Sequence, residues 1–370
     1  MKRAIFLSGG GARGAYQAGV LKAIGEILNT PKIPFQIVSG VSAGSINAAY
    51  LVNHADNFSA GMKDLAELWS QLHCGKIFRV GNLSLTRSVL RNISSMIIRW
   101  PKEGGQYLLD TTPLRELLDE HLDYSRINRN FEQNLLSSFE VAATCYDAPE
   151  TVSFIQSNEE INHWEKIRHS SRVTKIHSDH IMASAAFPLF FPAIKIGVYH
   201  YGDGGLRHSN PLRAAIRLGA DSILIIGTRR VTVTRTGIHT AQPGEVTFGK
   251  VLGTMLNALF LDNLERDLNM LLHINTKLDL IPDFERKAEL WKKIDVLFLR
   301  PSEDLGEMAE GKEKVLPSFL RYLLNAFGSS THSGDFLSFL LFESIYCREL
   351  AELGYDDVMG QRESIERFFA

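Results

Sequence analysis

Cysteine is scarce in this chain. Only Cys74, Cys145 and Cys347 occur among 370 residues. An odd number at wide spacing excludes a disulfide framework and offers no metal-ligand pattern. They read as small buried apolar residues and fit a reducing compartment. Charge of one sign is equally wanting. The 40 Lys and Arg face 42 Asp and Glu, for a net −2, so no global field favours nucleic acid as a partner. Long hydrophobic runs are missing too. The start, MKRAIFLSGG, has four apolar residues before its glycines. A secretory core needs about 7–15, so no signal peptide is expected. The apolar stretch 181–194, IMASAAFPLFFPAI, is interrupted by Pro188 and Pro192 and is too short to span a bilayer. The expected setting is cytoplasmic, with any membrane contact peripheral.

What is present is an ordinary folded composition, 45% apolar and 22% charged. AIFLSGG (4–10) reads as a buried strand running into a glycine turn, and YQAGVLKAIGEIL (16–28) has helical apolar spacing. FQIVSGVS (35–42) is a second strand and AGSINAAYLV (43–52) a helix of small residues. That alternation predicts a parallel sheet with helices on its faces. Helices are expected at 58–72 and at 112–122, the latter with Thr112 as N-cap and Pro113 in its first turn. Further strands are expected at 139–146, 151–156, 193–205, 222–228 and 295–301. Asn210 and Pro211 are read as opening a helix, and 248–278 as one long helix. The expected fold is α/β, a central and mostly parallel sheet flanked by helices, with a helical C-terminal portion. Residues 1–230 form the expected catalytic domain, with a helical insertion around 58–122. Residues 231–370 pack on that domain or complete it.

The stretch SGGGARGAYQAGVL (8–21) admits two readings. Gly9, Gly11 and Gly14 have the spacing of a dinucleotide-binding turn between strand and helix. That reading needs a carboxylate at the end of the second strand to hold a ribose, and the strand ends IVSGVSAG instead. The other reading uses the glycine amides as donors to an oxyanion. At the second strand's end stands Gly40-Val41-Ser42-Ala43-Gly44. In such a turn the glycines make room for a sharp bend that exposes the serine hydroxyl at a helix N-terminus. The layout of a common α/β-hydrolase fits poorly, because only one strand precedes this elbow. If the first two strands are neighbours, the glycine loop and Ser42 share one edge of the sheet. In YHYGDGGLRHSNP, Asp203 lies between glycines just after a strand, where its carboxylate can reach the same edge.

Taken in order, Gly9-Gly10-Gly11-Ala12-Arg13-Gly14, then Gly40-Val41-Ser42-Ala43-Gly44, then Asp203-Gly204-Gly205 resemble the signatures of the patatin-like phospholipase family. DTTPLRELL (110–118) and ASAAFPLFFP (183–192) look familial as well. The resemblance spans roughly residues 4 to 230. It implies a patatin-like fold and a Ser–Asp dyad without a catalytic histidine. Ser42 would attack an ester carbonyl, Asp203 would take its proton, and amides of the Gly9–Gly14 loop would hold the oxyanion. Gly40 and Gly44 would shape the elbow, and Gly204 and Gly205 the turn after the acid. Arg13 is expected to brace the loop or approach a substrate phosphate, since its pKa is too high for an acid.

The implied activity is that of a serine lipid acyl hydrolase of phospholipase A or lysophospholipase type, with a lipid or phospholipid as substrate. No cofactor, metal or nucleic acid is expected. A nucleotide-binding protein and a catalytically silent lipid-binding module are the alternatives. His200 and His208 flank Asp203, and His54, His177 and His180 lie near other elements; none has a distinctive setting. No acidic residue occurs between Glu67 and Glu103, and basic residues alternate there with apolar ones at helical spacing. Residues 83–100 are therefore expected either to cap the site and touch an anionic bilayer or to pack on the domain.

Overall fold

The computed structural model describes residues 1–80, 107–166, 168–230, 246, 248–282, 292–326 and 334–370. The apolar run after Arg3 forms the strand β1, Arg3–Leu7. Its side chains alternate: Ile5 and Leu7 enter one core and Ala4 and Phe6 the other. A strand packed on both faces accounts for an unbroken apolar run. The helix α1, Gly14–Leu28, leads to β2, Ile37–Val41, which is parallel to β1 and runs into α2, Ala43–Asn53. Next come α3 (Phe58–Ser70), α4 (Cys74–Ile77) and the two-stranded pair β3 (Arg79–Val80) with β4 (Leu109–Asp110). Then follow α5 (Thr112–His121), α6 (Tyr124–Glu132), β5 (Ser138–Cys145), β6 (Glu150–Ser157), β7 (Glu165–Lys166) and β8 (His169–Val173).

After the short helix α7 (Ser178–Ser184) come β9 (Ile194–Ile196), β10 (Tyr199–Asp203), α8 (Arg213–Arg217) and β11 (Ser222–Ile226). The remainder holds α9 (Phe248–Phe260), α10 (Asp262–Leu278), β12 (Asp295–Leu299) and α11 (Leu305–Ala309). It ends with α12 (Ser318–Ala326), α13 (Gly334–Leu340), α14 (Ser344–Met359) and α15 (Arg362–Phe369). The main sheet runs β12-β11-β1-β2-β5-β6-β8-β7, with β10 and β9 attached to β5. From β12 through β5 every pairing is parallel, as the alternation of strands and helices predicts.

Helices α1, α2, α3, α13 and α14 cover one face of the sheet, and α8 and α10 the other. α14 lies against α1 so closely that a Cβ on Gly19 would stand 1.9 Å from the Ala351 carbonyl oxygen. Tyr16 also donates to Asp357 across that contact. Among the described residues no helix is long and apolar enough to cross a membrane.

Several expectations need correction. The stretch 193–205 is not one strand but a hairpin, β9 and β10, reversed at Gly197 with φ +64°. The stretch 248–278 is two helices meeting at Leu261, where Asp262 and Glu265 begin a fresh first turn. The helix after Asn210 and Pro211 starts at Arg213, with Leu212 as N-cap. The N-cap of α5 is Thr111, and the Asp110 carboxylate caps by accepting from the Thr112 amide and hydroxyl. The strand expected at 295–301 is present as β12, which pairs with β11 at the end of the sheet. Residues 83–100 lie outside the described residues.

Candidate active site

The site forms where two strands meet end to end along one flank of β5. β2 runs parallel to β5 and its last rung pairs Val41 with Ala142. β10 arrives from the opposite direction and its last rung pairs Asp203 with Ala143. Ser42, one residue beyond β2, therefore confronts Asp203. The Ser42 hydroxyl donates to Asp203 Oδ2 at 2.7 Å. Thr144 Oγ1 donates to the Asp203 carbonyl at 2.8 Å, pinning the end of β10 to β5.

Ser42 adopts φ 54°, ψ −130°, a strained conformation for a residue with a side chain. The elbow is tight enough that a Cβ on Gly44 would lie 2.2 Å from the Leu7 carbonyl oxygen, so only glycine fits there. The Ser42 amide donates to Ser184 Oγ at 2.9 Å, and the Ser45 hydroxyl donates to the Ser42 carbonyl. Asp203 is 0% exposed. Burial pushes its carboxyl up to about 7, against the opposing hydrogen bonds from Ser42 and the Gly205 amide. Near neutral pH the carboxylate is thus a far stronger base than an exposed aspartate.

The glycine loop passes beside Ser42: a Cβ on Gly9 would stand 3.0 Å from Ser42 Cβ, and Gly11 shares a cavity with Ser42. Gly10 and Gly11 have φ +156° and +58°, values that suit glycine. Among the described residues neither of their amides has a hydrogen-bond acceptor. Upstream, Thr228 Oγ1 donates to the Gly9 carbonyl and Gln17 Nε2 to the Ser8 carbonyl. Asn47 donates to the Gly14 carbonyl and to Gln17, and Trp69 donates to Asn47. Downstream, Arg13 is 3% exposed and is turned away from the cavity towards α13.

From Ser42 opens an apolar cavity. Ile46, Trp69, Leu72, Leu117, Phe187 and Phe339 line it. Among the described residues no charged side chain lines it. Its apolar lining suits a hydrocarbon better than a charged group.

Among the described residues no histidine hydrogen-bonds to Ser42 or Asp203. His200 is exposed beside Asp147, His54 stacks on Tyr50, and His177 and His180 cap α7. His208 is buried with neither ring nitrogen partnered among the described residues, and burial lowers it to about 3. Residue patterns gave no notice of three groups. Ser184 lies inside a stretch singled out only as a whole. The supports Gln17 and Asn47 look like ordinary helix residues. Glu140 is fully buried and raised to about 7 by that burial, accepting from Ser39 and Ser153. Ser153 also meets His169 at 2.9 Å.

No curated protein matches the chain. Among solved structures, the crystal structure of VipD from Legionella pneumophila is similar at 13% identity and a TM-score of 0.36, covering 98% of this chain and 67% of that one. A family model described as patatin-like phospholipase matches residues 5–216. That segment runs from β1 into α8 and includes the glycine loop, Ser42 and Asp203, more than half of the sequence; the chain belongs to the patatin-like phospholipase family.

Proposed function

We propose that the protein is a serine acyl hydrolase of lipids, of phospholipase A or lysophospholipase type, working through a Ser42–Asp203 dyad. The observation that carries this reading is the 2.7 Å hydrogen bond to a buried carboxylate from a strained, buried serine that lines an apolar cavity.

The acyl chain occupies the cavity and presents its ester carbonyl to Ser42. As Oγ bonds to the carbonyl carbon, its proton passes to Asp203 Oδ2, and the carbonyl oxygen becomes an oxyanion. Amides of the Gly9–Gly14 loop receive that charge, Gly10 and Gly11 foremost, because they lack other acceptors among the described residues. The ester C–O bond then breaks, and the leaving alcohol takes the proton back from Asp203. Water attacks the acyl-enzyme by the same route, giving up a proton to Asp203 and releasing the fatty acid and free Ser42. The Ser42 amide is engaged with Ser184, which leaves the loop as the donor side.

Residues 1–230 are the catalytic unit in this reading, with 58–122 as its helical insertion and 231–370 completing it. The cytoplasm is the proposed location, with 83–100 the candidate contact to an anionic bilayer.

A fluorophosphonate probe tests the reading. Labelling of the wild type at Ser42, lost in Ser42→Ala and weakened in Asp203→Asn, is the expected result, with the adduct mapped by mass spectrometry. Folded wild-type protein that takes no label and cleaves no ester would refute it and leave a silent lipid-binding module.

A further inference from the structure

The glycine loop is clamped on its downstream side by a helix far outside the matched segment. Arg13 Nε donates to Ser338 Oγ at 2.8 Å, and its Nη2 donates to Asp335 Oδ1 at 3.0 Å. Its guanidinium lies 4.4 Å from the centre of the Phe339 ring. Ser338 Oγ in turn donates to the Asp335 carbonyl at 2.6 Å. All three partners belong to α13, some 120 residues beyond the end of the family match at residue 216. The loop backbone meets the same helix, for a Cβ on Gly11 would stand 2.1 Å from the Phe339 carbonyl oxygen. Phe339 and Leu340 then continue into the wall of the cavity that holds Ser42.

Glycines at positive φ do not enforce their own conformation. The directions of the Gly10 and Gly11 amides must therefore be set by what grips the loop. A guanidinium makes a good grip because it is planar, permanently charged and presents donors in a fixed fork.

Building on the proposed function, we propose that Asp335 and Ser338 are positioning residues of the reaction. They hold Arg13, and through it they aim the loop amides at the oxyanion. The catalytic unit then includes α13. Arg13 serves as a strut with its charge matched by Asp335, not as a free cation facing the substrate.

The test compares full-length wild type with Asp335→Asn, Ser338→Ala and the double variant. The readouts are kcat and KM on a short-chain nitrophenyl ester, the rate of fluorophosphonate labelling, and the melting temperature. Displacing oxyanion donors by a fraction of an ångström is expected to lower kcat by roughly tenfold in each single variant and, because both act through Arg13, by less than about a hundredfold in the double. Labelling slows in parallel, and KM stays within about twofold because the cavity is untouched.

Three outcomes would overturn the inference. One is unchanged kcat. Another is kcat raised in Asp335→Asn, which would make Arg13 a charge released to act on the oxyanion. The third is a lower melting temperature with altered KM and intact kcat, which would make α13 mere packing. Inert wild-type protein would overturn the proposed function and this inference together. An active wild type with indifferent variants overturns the inference alone.

Discussion

The Ser42 amide and the Ser184 hydroxyl are joined at 2.9 Å, so the elbow is held by a helix from a different part of the chain. Ser184 is 0% exposed, and no solvent stands ready to replace it. Ser184→Ala is expected to leave a buried amide without an acceptor, at a cost of about 1–3 kcal/mol in stability. Relaxation of the strained elbow should also lower kcat. Thermal unfolding and ester kinetics check this; a variant as stable and as active as wild type would deny Ser184 that role.

Activity should follow the ionisation of Asp203. The acid must lose its proton to act as a base, and burial sets that loss at about pH 7. Above that pH kcat/KM is expected to be level, and below it to fall by about tenfold per pH unit. Glu140 is raised to about the same value but bonds to Ser39 and Ser153 within the sheet. The acidic limb should therefore persist in Glu140→Gln. Its disappearance there would assign the limb to the wrong carboxylate.

Chain-length preference should answer to Ile46, which sits one helical turn beyond Ser42 in the cavity wall. Ile46→Phe narrows the cavity and leaves Ser42 and Asp203 in place. The expected result is a loss of roughly tenfold or more in kcat/KM for a dodecanoyl ester, with a butyryl ester within about twofold. Equal effects on both substrates would place the acyl chain elsewhere.

Acid should weaken the fold through its buried histidines. Burial lowers His169 and His180 to about 4 and His208 to about 3. An unfolded imidazole takes its proton at about 6.5, so their contribution is complete above that pH. It is lost progressively as pH falls from there towards 3 to 4. Asp203 and Glu140 work in the opposite sense, since raised carboxyls favour the fold when protonated. His208→Leu removes two ring nitrogens that have no partner among the described residues. It is expected to hold or raise the melting temperature at pH 7 and to gain more over wild type at pH 5. A loss at both pH values would mean that the ring has a partner.

Local patterns made the half of the molecule that holds Ser42 and Asp203 readable. The apolar run of β1, the small residues of α2 and the glycines of each turn answer to constraints acting within a few residues, and those leave marks in sequence. The hairpin at 193–205 was hidden because Gly197 reverses a chain whose apolar spacing continues through it. Leu261 divides two helices without interrupting their apolar periodicity. Ser184, Asn47 and Ser338 matter through partners 33 to 325 residues away, and residue type alone announces no such distance. The pairing of Ser42 with Asp203 was legible only because both lie in motifs. The 2.7 Å between them comes from the register of β5.

That register has a consequence for preparing the protein. Ser42 and Asp203 abut because two strand ends occupy consecutive rungs, Ala142 and Ala143, on one flank of β5. A slip of β10 by a single rung would turn Asp203 to the opposite face of the sheet while preserving nearly the same ladder. Molecules so trapped would give an ordinary circular dichroism spectrum and yet be inert. Titration of reactive serines counts the competent molecules in a refolded sample; secondary-structure content counts both kinds alike.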